Sequence, residues 1–375
     1  MQNYPVELLR SMLEIYSPSG SEQELADLLQ QQMSAHGFKV RKDNVGNIIG
    51  EIGEKGPRIL LCGHMDTVPG KIPVRSNGDF LYGRGSVDAK SSLAAMISGS
   101  SLAQEQSTAP FQVTIAAVVE EETSSAGAKA LIDSNGSYDL AVFGEPSGAS
   151  NIVVGYKGSI QLHVACETAG GHSASPWLSK NSYEETFEFW KTFKDSLIDN
   201  NSTSKFWAVT GCVTNAVAGN NTNNIPSKAD LAIDIRVPPG IKTTDMVNRI
   251  QTFTENYQKN HESVRFMINV KDQTEPFLAK EDSIAVRAFR WAIRETLKCR
   301  VSLVKKTGTS DMNLFATSHI IPMIAYGPGD SSLDHTENEK VSIREYLASV
   351  EIYAKAIQRI ASFTKNKTST SRSQQ

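Results

Sequence analysis

Short apolar runs alternate with amphipathic stretches along the first half of the chain. The runs at 59–62, 111–119 and 138–143 are largely apolar and predict buried strands. Leucines at helical spacing predict a helix over 21–36. Because strand and helix patterns keep alternating, the sequence predicts an α/β fold with a mostly parallel sheet flanked by helices.

The pattern changes after Gly155, where alternating strands and two helices predict an α+β unit. The α/β pattern returns near residue 272. We therefore expect a discontinuous first domain, residues 1–157 and 272–364, with residues 158–271 inserted as a second domain. The polar segment 365–375 predicts a disordered tail.

Composition narrows the classes of protein that fit this pattern. A chain of 375 residues favours two domains, and a net charge of -3 suggests neither nucleic acid nor a membrane surface as partner. The four cysteines have no paired spacing and predict small buried residues in a reducing compartment: Cys62, Cys166, Cys212 and Cys299. No apolar run approaches the length of a membrane span, so we expect a cytoplasmic enzyme or binding protein.

Charged side chains follow the predicted strands where each one ends. They are two imidazoles and several carboxylates: His64, Asp88, Glu120 to Glu122, Glu145 and His335. Since the carboxyl ends of parallel strands meet at one edge of a sheet, we expect these groups to converge there. Imidazole and carboxylate ligands suit Zn²⁺, Co²⁺ or Mn²⁺, and so many acids in one crevice need a cation to offset their repulsion.

Two metal ions sharing one carboxylate would use this set fully. Such a pair lowers the pKa of a bound water towards ~7 and polarises a carbonyl group, which are the requirements of amide hydrolysis. One glutamate then has to stay outside the ligand set as general base. Asp66, two residues after His64, is placed to hold the second ring nitrogen of that imidazole.

Five motifs resemble those of the M20 metallopeptidase and deacylase family, in the family's order. They are G-H-M-D-T-V-P at 63–69, G-R-G-S-V-D-A-K at 83–90, E-E-E at 120–122, G-E-P-S at 144–147 and D-H-T at 334–336. Singly, each is more typical of a capped strand end or a solvated loop, whereas the ordered set indicates the family. The resemblance implies a zinc-peptidase-like sheet with an inserted α+β dimerisation or lid domain.

The resemblance also implies which residues bind metal. Asp88 would bridge two divalent ions. The other ligands would be His64 and Glu145 for one ion, and Glu122 and His335 for the second. Zn²⁺ is the expected metal, with Co²⁺ as the alternative.

The acidic run contains both a ligand and a base in the family's pattern. Gly127 fits the small residue that follows this pair, which assigns Glu121 as the base and Glu122 as the ligand. A shift by one residue, to Glu120 and Glu121, stays open. The resemblance makes Asp66 the partner that orients His64.

The predicted second domain carries three further motifs of the family. G-G-H-S-A-S-P at 170–176 resembles the motif whose histidine, here His172, stabilises the tetrahedral oxyanion, often in the partner subunit. N-x-I-P and D-I-R-V-P resemble substrate-contacting segments, which implies substrate contacts for Asn223 or Asn224 and for Arg236 as a carboxylate clamp. A homodimer is implied in the same way.

Segments 153–158, 305–313 and 325–336 resemble one group within the family. Members of that group free lysine or ornithine from the C-terminal glutamate side chain of a small acidic amino-group carrier protein. Backbone and hydroxyl donors of Gly308, Thr309 and Ser310 would then bind the substrate's carboxylate. Lysines that could receive an acidic partner are Lys157, Lys180, Lys205, Lys305 and Lys306.

Two other hypotheses share the same motifs. A deacylase or dipeptidase would use the same metal site on a free small molecule, such as N-acetylornithine or N-succinyl-diaminopimelate. A non-enzymatic relative could keep the fold as a binding module, but the presence of the base and all five ligands disfavours it.

Overall fold

The computed structural model of the protein describes residues 4–219 and 223–372, with the backbone alone over 364–372. The helices are α1 (Tyr4–Glu14), α2 (Gln23–Ala35), α3 (Lys90–Gln106), α4 (Ala126–Asp133), α5 (Ser182–Leu197), α6 (Thr243–Lys259), α7 (Ile284–Leu297), α8 (Asp311–Ser318) and α9 (Ile343–Arg372). Short 3₁₀ turns span Pro176–Leu178 and Ser331–Leu333.

The strands of the first half are β1 (Lys39–Lys42), β2 (Ile48–Ile52), β3 (Arg58–His64), β4 (Arg75–Ser76), β5 (Phe80–Tyr82), β6 (Gln112–Val118), β7 (Leu140–Phe143), β8 (Asn151–Tyr156) and β9 (Gly158–Glu167). Those that follow are β10 (Gly171–His172), β11 (Thr210–Ala218), β12 (Asn224–Ile225), β13 (Lys228–Val237), β14 (Arg265–Thr274), β15 (Phe277–Leu278), β16 (Ser302–Lys306), β17 (Met323–Ala325) and β18 (Lys340–Ser342).

The chain divides into two compact units. Unit 1 consists of Met1–Val154, Ala279–Val304 and Leu314–Gln375, and unit 2 of Gly155–Leu278 and Lys305–Asn313. Unit 2 is therefore longer at both ends than the expected 158–271. It also contains the Gly308 to Ser310 loop, which the sequence analysis assigned to the first domain.

The main sheet of unit 1 is mixed, and only its centre is parallel. Its strands follow the order β1-β2-β6-β3-β7-β17-β8. The pairs β6-β3, β3-β7 and β7-β17 are parallel, while β1-β2, β2-β6 and β17-β8 are antiparallel. The predicted parallel sheet is thus correct for the strands that carry the candidate site, which are buried on both faces.

Helix α3 lies deep in unit 1 because its residues are small. Lys90 to Ser100 are buried without interruption. A Cβ atom on Gly99 would lie 2.5 Å from Cβ of Tyr353 and 2.8 Å from the carbonyl oxygen of Val350, so α9 can approach this closely only at a glycine. This packing fixes the start of α3, directly after Asp88.

Unit 2 contains a four-stranded antiparallel sheet in the order β11-β13-β9-β14. Alternate residues of β13 are buried, as expected for a sheet covered on one face. The covered face packs on α5 and α6 through an apolar core that includes Leu162, Val164, Phe189, Phe193, Ile233, Ile235, Met246 and Ile250. The α+β prediction for this region agrees with these elements.

Some local predictions need correction. Helix α2 begins at Gln23, two residues after the start of the helix predicted over 21–36, and no side chain caps it. Cys212 and Cys299 are exposed, in contrast to the buried Cys62 and Cys166. The backbone of α9 continues to Arg372, but the side chains from 364 onwards and residues 373–375 lie outside the described part, so disorder of 365–375 stays a prediction.

No helix within the described residues is long and apolar enough to cross a membrane.

Candidate active site

Two imidazoles and two carboxylates meet beyond the carboxyl ends of the central strands of unit 1. His64 Nε2 lies 3.2 Å from Asp88 Oδ1, and His335 Nε2 lies 3.2 Å from Asp88 Oδ2. His335 Nε2 is also 3.1 Å from a carboxylate oxygen of Glu122. Asp88 therefore contacts the two imidazoles through different oxygens, which is the geometry that a bridging carboxylate needs.

The charges in this cluster are strongly coupled. Burial alone would lower the pKa of His64, but hydrogen bonds with Asp66 and Asp88 raise it well above its usual value. Hydrogen bonding to Asp88 raises the pKa of His335 to about 9. Burial favours a raised pKa for Asp88, yet the two imidazoles hold it below its usual value. Burial and the charge of Asp88 raise the pKa of Glu122.

These shifts indicate that the site stabilises positive charge among its carboxylates. Ligand atoms of His64, Asp88 and Glu122 all lie within 4.8 Å of one another. His335 adjoins this group through Asp88 and Glu122. Imidazole nitrogens with carboxylate oxygens suit a divalent ion such as Zn²⁺ or Co²⁺, so the donor set fits a metal.

Glu145 stands apart from that group. It directly follows the buried β7 strand and Gly144, as predicted, and its side chain is half-buried. Its carboxylate is not part of the three-residue group found among the described residues. Its assignment as a ligand stays a prediction.

Asp66 supports the cluster through buried hydrogen bonds. Its carboxylate is fully buried and accepts hydrogen bonds from the Ser19 hydroxyl (2.7 Å) and from the backbone N–H groups of Glu121 (3.0 Å) and Glu122 (3.1 Å). His64 Nδ1 lies 3.0 Å from the Asp66 carbonyl oxygen and 3.4 Å from its carboxylate. Asp66 thus orients His64 and the acidic run together.

The three carboxylates of the acidic run 120–122 have different surroundings. Glu122 contacts His335, while the Glu120 carboxylate accepts a hydrogen bond from the Ser124 hydroxyl on the exposed side of the loop. Glu121 is close enough to His64 to raise the pKa of that imidazole. This arrangement favours Glu122 as the ligand and Glu121 as the base over the alternative shifted by one residue.

The sequence motifs did not predict a buried ion pair that supports the cluster. Arg84 and Glu339 are 8% and 1% exposed and lie 2.9 Å apart. Glu339 also accepts the N–H groups of Val87 (2.8 Å) and Asp88 (3.1 Å), and Arg84 donates to the carbonyl oxygen of Thr336 (3.0 Å). The pair therefore joins the loop that carries Asp88 to the loop that carries His335.

Unit 2 holds the other predicted residues, and its short ladder pairs two of them. Exposed His172 on β10 lies opposite exposed Asn224 on β12. The neighbouring Asn223 is also exposed, and its carbonyl oxygen accepts a hydrogen bond from Ser173 N–H. His172 Nδ1 accepts from the N–H of Ala174 at 3.1 Å, so in the neutral ring the proton lies on Nε2.

Arg236 is half-buried beside the predicted substrate loop. One of its nitrogens donates to Asp234 Oδ2 at 2.7 Å, and another lies 3.4 Å from Thr309 Oγ1. Gly308 is exposed and Thr309 half-buried. Ser310 is buried, its N–H donates to Asn313 Oδ1, and its hydroxyl accepts from Met312 N–H, so its role as a donor to substrate stays a prediction.

Lys157 is likewise not a surface lysine. It is fully buried, and its ammonium donates to the carbonyl oxygens of Lys205 and Ala208 and to the Thr210 hydroxyl. It therefore cannot receive an acidic partner. Burial, followed by the charge of Arg236, lowers the pKa of Lys157 to about 8.

The fold and this site define an enzyme that hydrolyses amide bonds and carries a cluster, His64, Asp88 and Glu122, that could hold a metal ion. The chain belongs to the peptidase family M20/M25/M40, whose model matches residues 60–359. This confirms the family predicted from the five motifs.

Two curated relatives extend the match over nearly the whole chain. The LysW-lysine hydrolase of Deinococcus radiodurans is 35% identical, with 94% of this chain and 96% of the relative covered. The LysW-lysine/LysW-ornithine hydrolase of Saccharolobus islandicus is 33% identical, with 94% and 95% covered. This chain is thus similar to hydrolases that are named for lysine or ornithine on LysW.

Solved structures match the fold at low identity. An M20 family metallo-carboxypeptidase from Sulfolobus solfataricus has a TM-score of 0.79 at 17% identity, with 95% of this chain and 99% of that chain covered. A tripeptidase from Staphylococcus aureus has a TM-score of 0.82 at 17% identity, with 96% and 99% covered. These likenesses confirm the predicted fold class.

Proposed function

We propose that the protein releases lysine, and also ornithine, from the C-terminal glutamate side chain of the amino-group carrier protein LysW, for lysine or arginine biosynthesis. The observation that carries the reaction class is the cluster in which Asp88 contacts both His64 and His335. The carrier-bound substrate is supported by the relatives named for it, at 33–35% identity over 94% of this chain.

The donor set would hold two divalent metal ions, with Zn²⁺ as the expected metal. Asp88 would be shared by both ions, His64 and Glu145 would hold one of them, and Glu122 and His335 would hold the other. Metal bound there would supply a water of lowered pKa and a polarised scissile carbonyl. The half-buried position of Glu145 after β7 supports its place among the ligands, since β7 pairs with β3, the strand that ends at His64.

Glu121 is the general base. Its carboxylate takes a proton from the attacking water as the water oxygen bonds to the amide carbon. It then gives that proton to the α-amino nitrogen of lysine as the C–N bond breaks. Its neighbour Glu122 is turned towards His335, which leaves Glu121 outside the ligand set.

His172 and Arg236 contact the substrate. The Nε2–H of His172 is the donor for the oxyanion, because Nδ1 already accepts from Ala174. Arg236 binds the carboxylate of the departing amino acid, assisted by the N–H of Gly308 and the hydroxyl of Thr309. Asn223 and Asn224 add amide contacts beside His172.

The enzyme is a cytoplasmic homodimer in this proposal. Strand β11 is an edge of the unit 2 sheet, and edge strands are templates for pairing with a second copy. Exposed Tyr183 and Phe187 on α5 line one groove with Val217 on β11. Sedimentation should give a mass about twice the 40.9 kDa of the chain; a monomer would refute this part. The free cysteines support a reducing compartment.

A substrate panel tests the function directly. Purified protein loaded with Zn²⁺ or Co²⁺ is mixed with LysW-lysine, LysW-ornithine, N-acetylornithine or N-succinyl-diaminopimelate, and the released amine is quantified. We expect release from the carrier at a kcat/KM at least about 100-fold above that for the free amides, a difference of about 2.7 kcal/mol. Turnover of only the free amides would replace the proposal with a small-molecule deacylase.

A further inference from the structure

The backbone of the acidic run is held by side chains from three distant segments. Strand β6 ends at Val118, and Glu120 has a φ of 56°, so the chain turns away from the sheet there. Backbone N–H groups that leave a sheet inside a protein need other acceptors. Three side chains accept four successive N–H groups here. Val119 donates to Asn47 Oδ1 (3.0 Å), and Glu120 donates to Glu22 Oε1 (3.2 Å). Glu121 and Glu122 donate to Asp66 Oδ1 (3.0 Å) and Oδ2 (3.1 Å).

Asn47 connects the two ends of this loop. It is fully buried, and its Nδ2 donates to the carbonyl oxygen of Gly127 at 2.9 Å while its Oδ1 accepts from Val119. Gly127 N–H in turn donates to the carbonyl oxygen of Val119 at 3.1 Å. A Cβ on Gly127 would lie 2.5 Å from Asn47 Oδ1, so this closure requires glycine. Asn47 therefore fixes both ends of segment 119–127.

Glu22 fixes the residue before the proposed base. It is 6% exposed, and its Oε1 accepts from the N–H groups of Gly20 (3.0 Å) and Glu120 (3.2 Å). Nearby Ser19 donates to Asp66, which accepts from the next two N–H groups. The segment 19–22 and Asp66 together surround the backbone of the acidic run.

We propose that Glu22 and Asn47 are positioning residues for Glu121, acting through the N–H groups of Glu120 and Val119. The role assigned to Glu121 rests on the proposed function. Removing either acceptor leaves a backbone N–H of the loop without its partner, which the loop relieves by moving. A shift of about 1 Å at a reacting group lowers the rate on the order of 100-fold, so anchors outside the ligand set control the rate.

The test compares Glu22→Ala and Asn47→Ala with the conservative Glu22→Gln and with Glu24→Ala. Glu24 is exposed in the first turn of α2, two residues after Glu22, and is the matched control. For both alanine variants at these anchors we expect kcat to fall about 10–100-fold, with KM within about twofold and metal content unchanged. Glu22→Gln keeps an acceptor oxygen and should recover kcat to within about threefold, and Glu24→Ala should match the wild type.

Hydrogen–deuterium exchange of peptide 119–127 provides a readout that does not depend on turnover. Exchange should rise in Glu22→Ala and Asn47→Ala and stay at the wild-type rate in Glu22→Gln and Glu24→Ala. Wild-type kcat in both anchor alanine variants, or a loss in Glu22→Gln as large as that in Glu22→Ala, would overturn the inference. If the wild type hydrolyses none of the amides while the exchange pattern holds, the proposed function fails and the anchoring itself stands.

Discussion

The candidate residues of units 1 and 2 differ in how firmly the protein holds them. In unit 1, Asp88 contacts both imidazoles, and buried Asp66 and Glu339 accept the backbone N–H groups of the residues that carry the ligands. In unit 2, His172 and its neighbouring asparagines are exposed on a ladder two residues long. The candidate metal ligands of unit 1 are thus held by buried side chains, whereas His172 and Asn224 of unit 2 lie on an exposed two-residue ladder and Arg236 lies on the longer strand β13.

This difference between the two units has consequences for catalysis and for substrate recognition. A rigid site keeps catalytic groups in reacting geometry without reorganisation during the reaction. Contacts on exposed segments can differ between members of a family that share one chemistry. Changes in unit 1 should therefore affect kcat and metal binding. In unit 2, a change at the proposed carboxylate clamp Arg236 should affect KM, whereas a change at the proposed oxyanion donor His172 should lower kcat.

The largest effect is expected from Asp88→Ala. It removes the group shared by both imidazoles, so metal binding should fall and lysine release should drop by at least about 1,000-fold, equivalent to about 4 kcal/mol. Metal per chain is measured by mass spectrometry and release by amino-acid analysis. Asp79→Ala, at an exposed aspartate, is the control. Full metal content with normal release in Asp88→Ala would refute the bridging role.

Glu339→Gln tests the rigidity of unit 1. Glutamine keeps an acceptor for the Val87 and Asp88 N–H groups but removes the negative charge that balances buried Arg84, which should cost about 3–5 kcal/mol in the free energy of unfolding of unit 1. Urea unfolding provides the measurement. Glu54→Gln breaks the exposed pair with Lys39 and should cost less than about 1 kcal/mol. Equal costs for the two variants would contradict the account.

Arg236→Lys tests recognition by unit 2. Lysine keeps the charge but loses the planar fork that binds a carboxylate through two hydrogen bonds. We expect KM to rise about 10–100-fold, equivalent to about 1.4–2.7 kcal/mol, with kcat within about threefold. Steady-state kinetics with LysW-lysine give both constants. A fall in kcat at unchanged KM would place Arg236 in the reaction itself.

The smallest effect concerns Lys157. Its pKa of about 8 in the folded chain lies below its ordinary value near 10.5, so the unfolded chain binds more protons between these values and stability rises with pH there. Its three acceptors stabilise the ammonium and limit the gain to on the order of 1 kcal/mol. Urea unfolding from pH 8 to 10.5 should show a steeper rise than in Lys157→Met. Parallel curves would rule out this role.

Sequence predicted the cluster because each of its residues follows a strand or lies in a motif with a fixed neighbour. The positions of His64 and Glu122 could be predicted from the ends of β3 and β6 alone. The burial of Lys157 could not be predicted because the acceptors of its ammonium lie 48 to 53 positions further along the chain. Arg84 and Glu339 were missed since their partners stand 255 positions apart and neither lies at a strand end.

In the proposed function, metal bound at the Asp88 cluster is required for hydrolysis. The most direct test removes metal with a chelator and then adds back Zn²⁺ in measured equivalents while lysine release from LysW-lysine is followed. The account predicts no release before addition and a rise that reaches its plateau at two equivalents per chain. Undiminished release from metal-free protein, or two bound equivalents without any release, would contradict it.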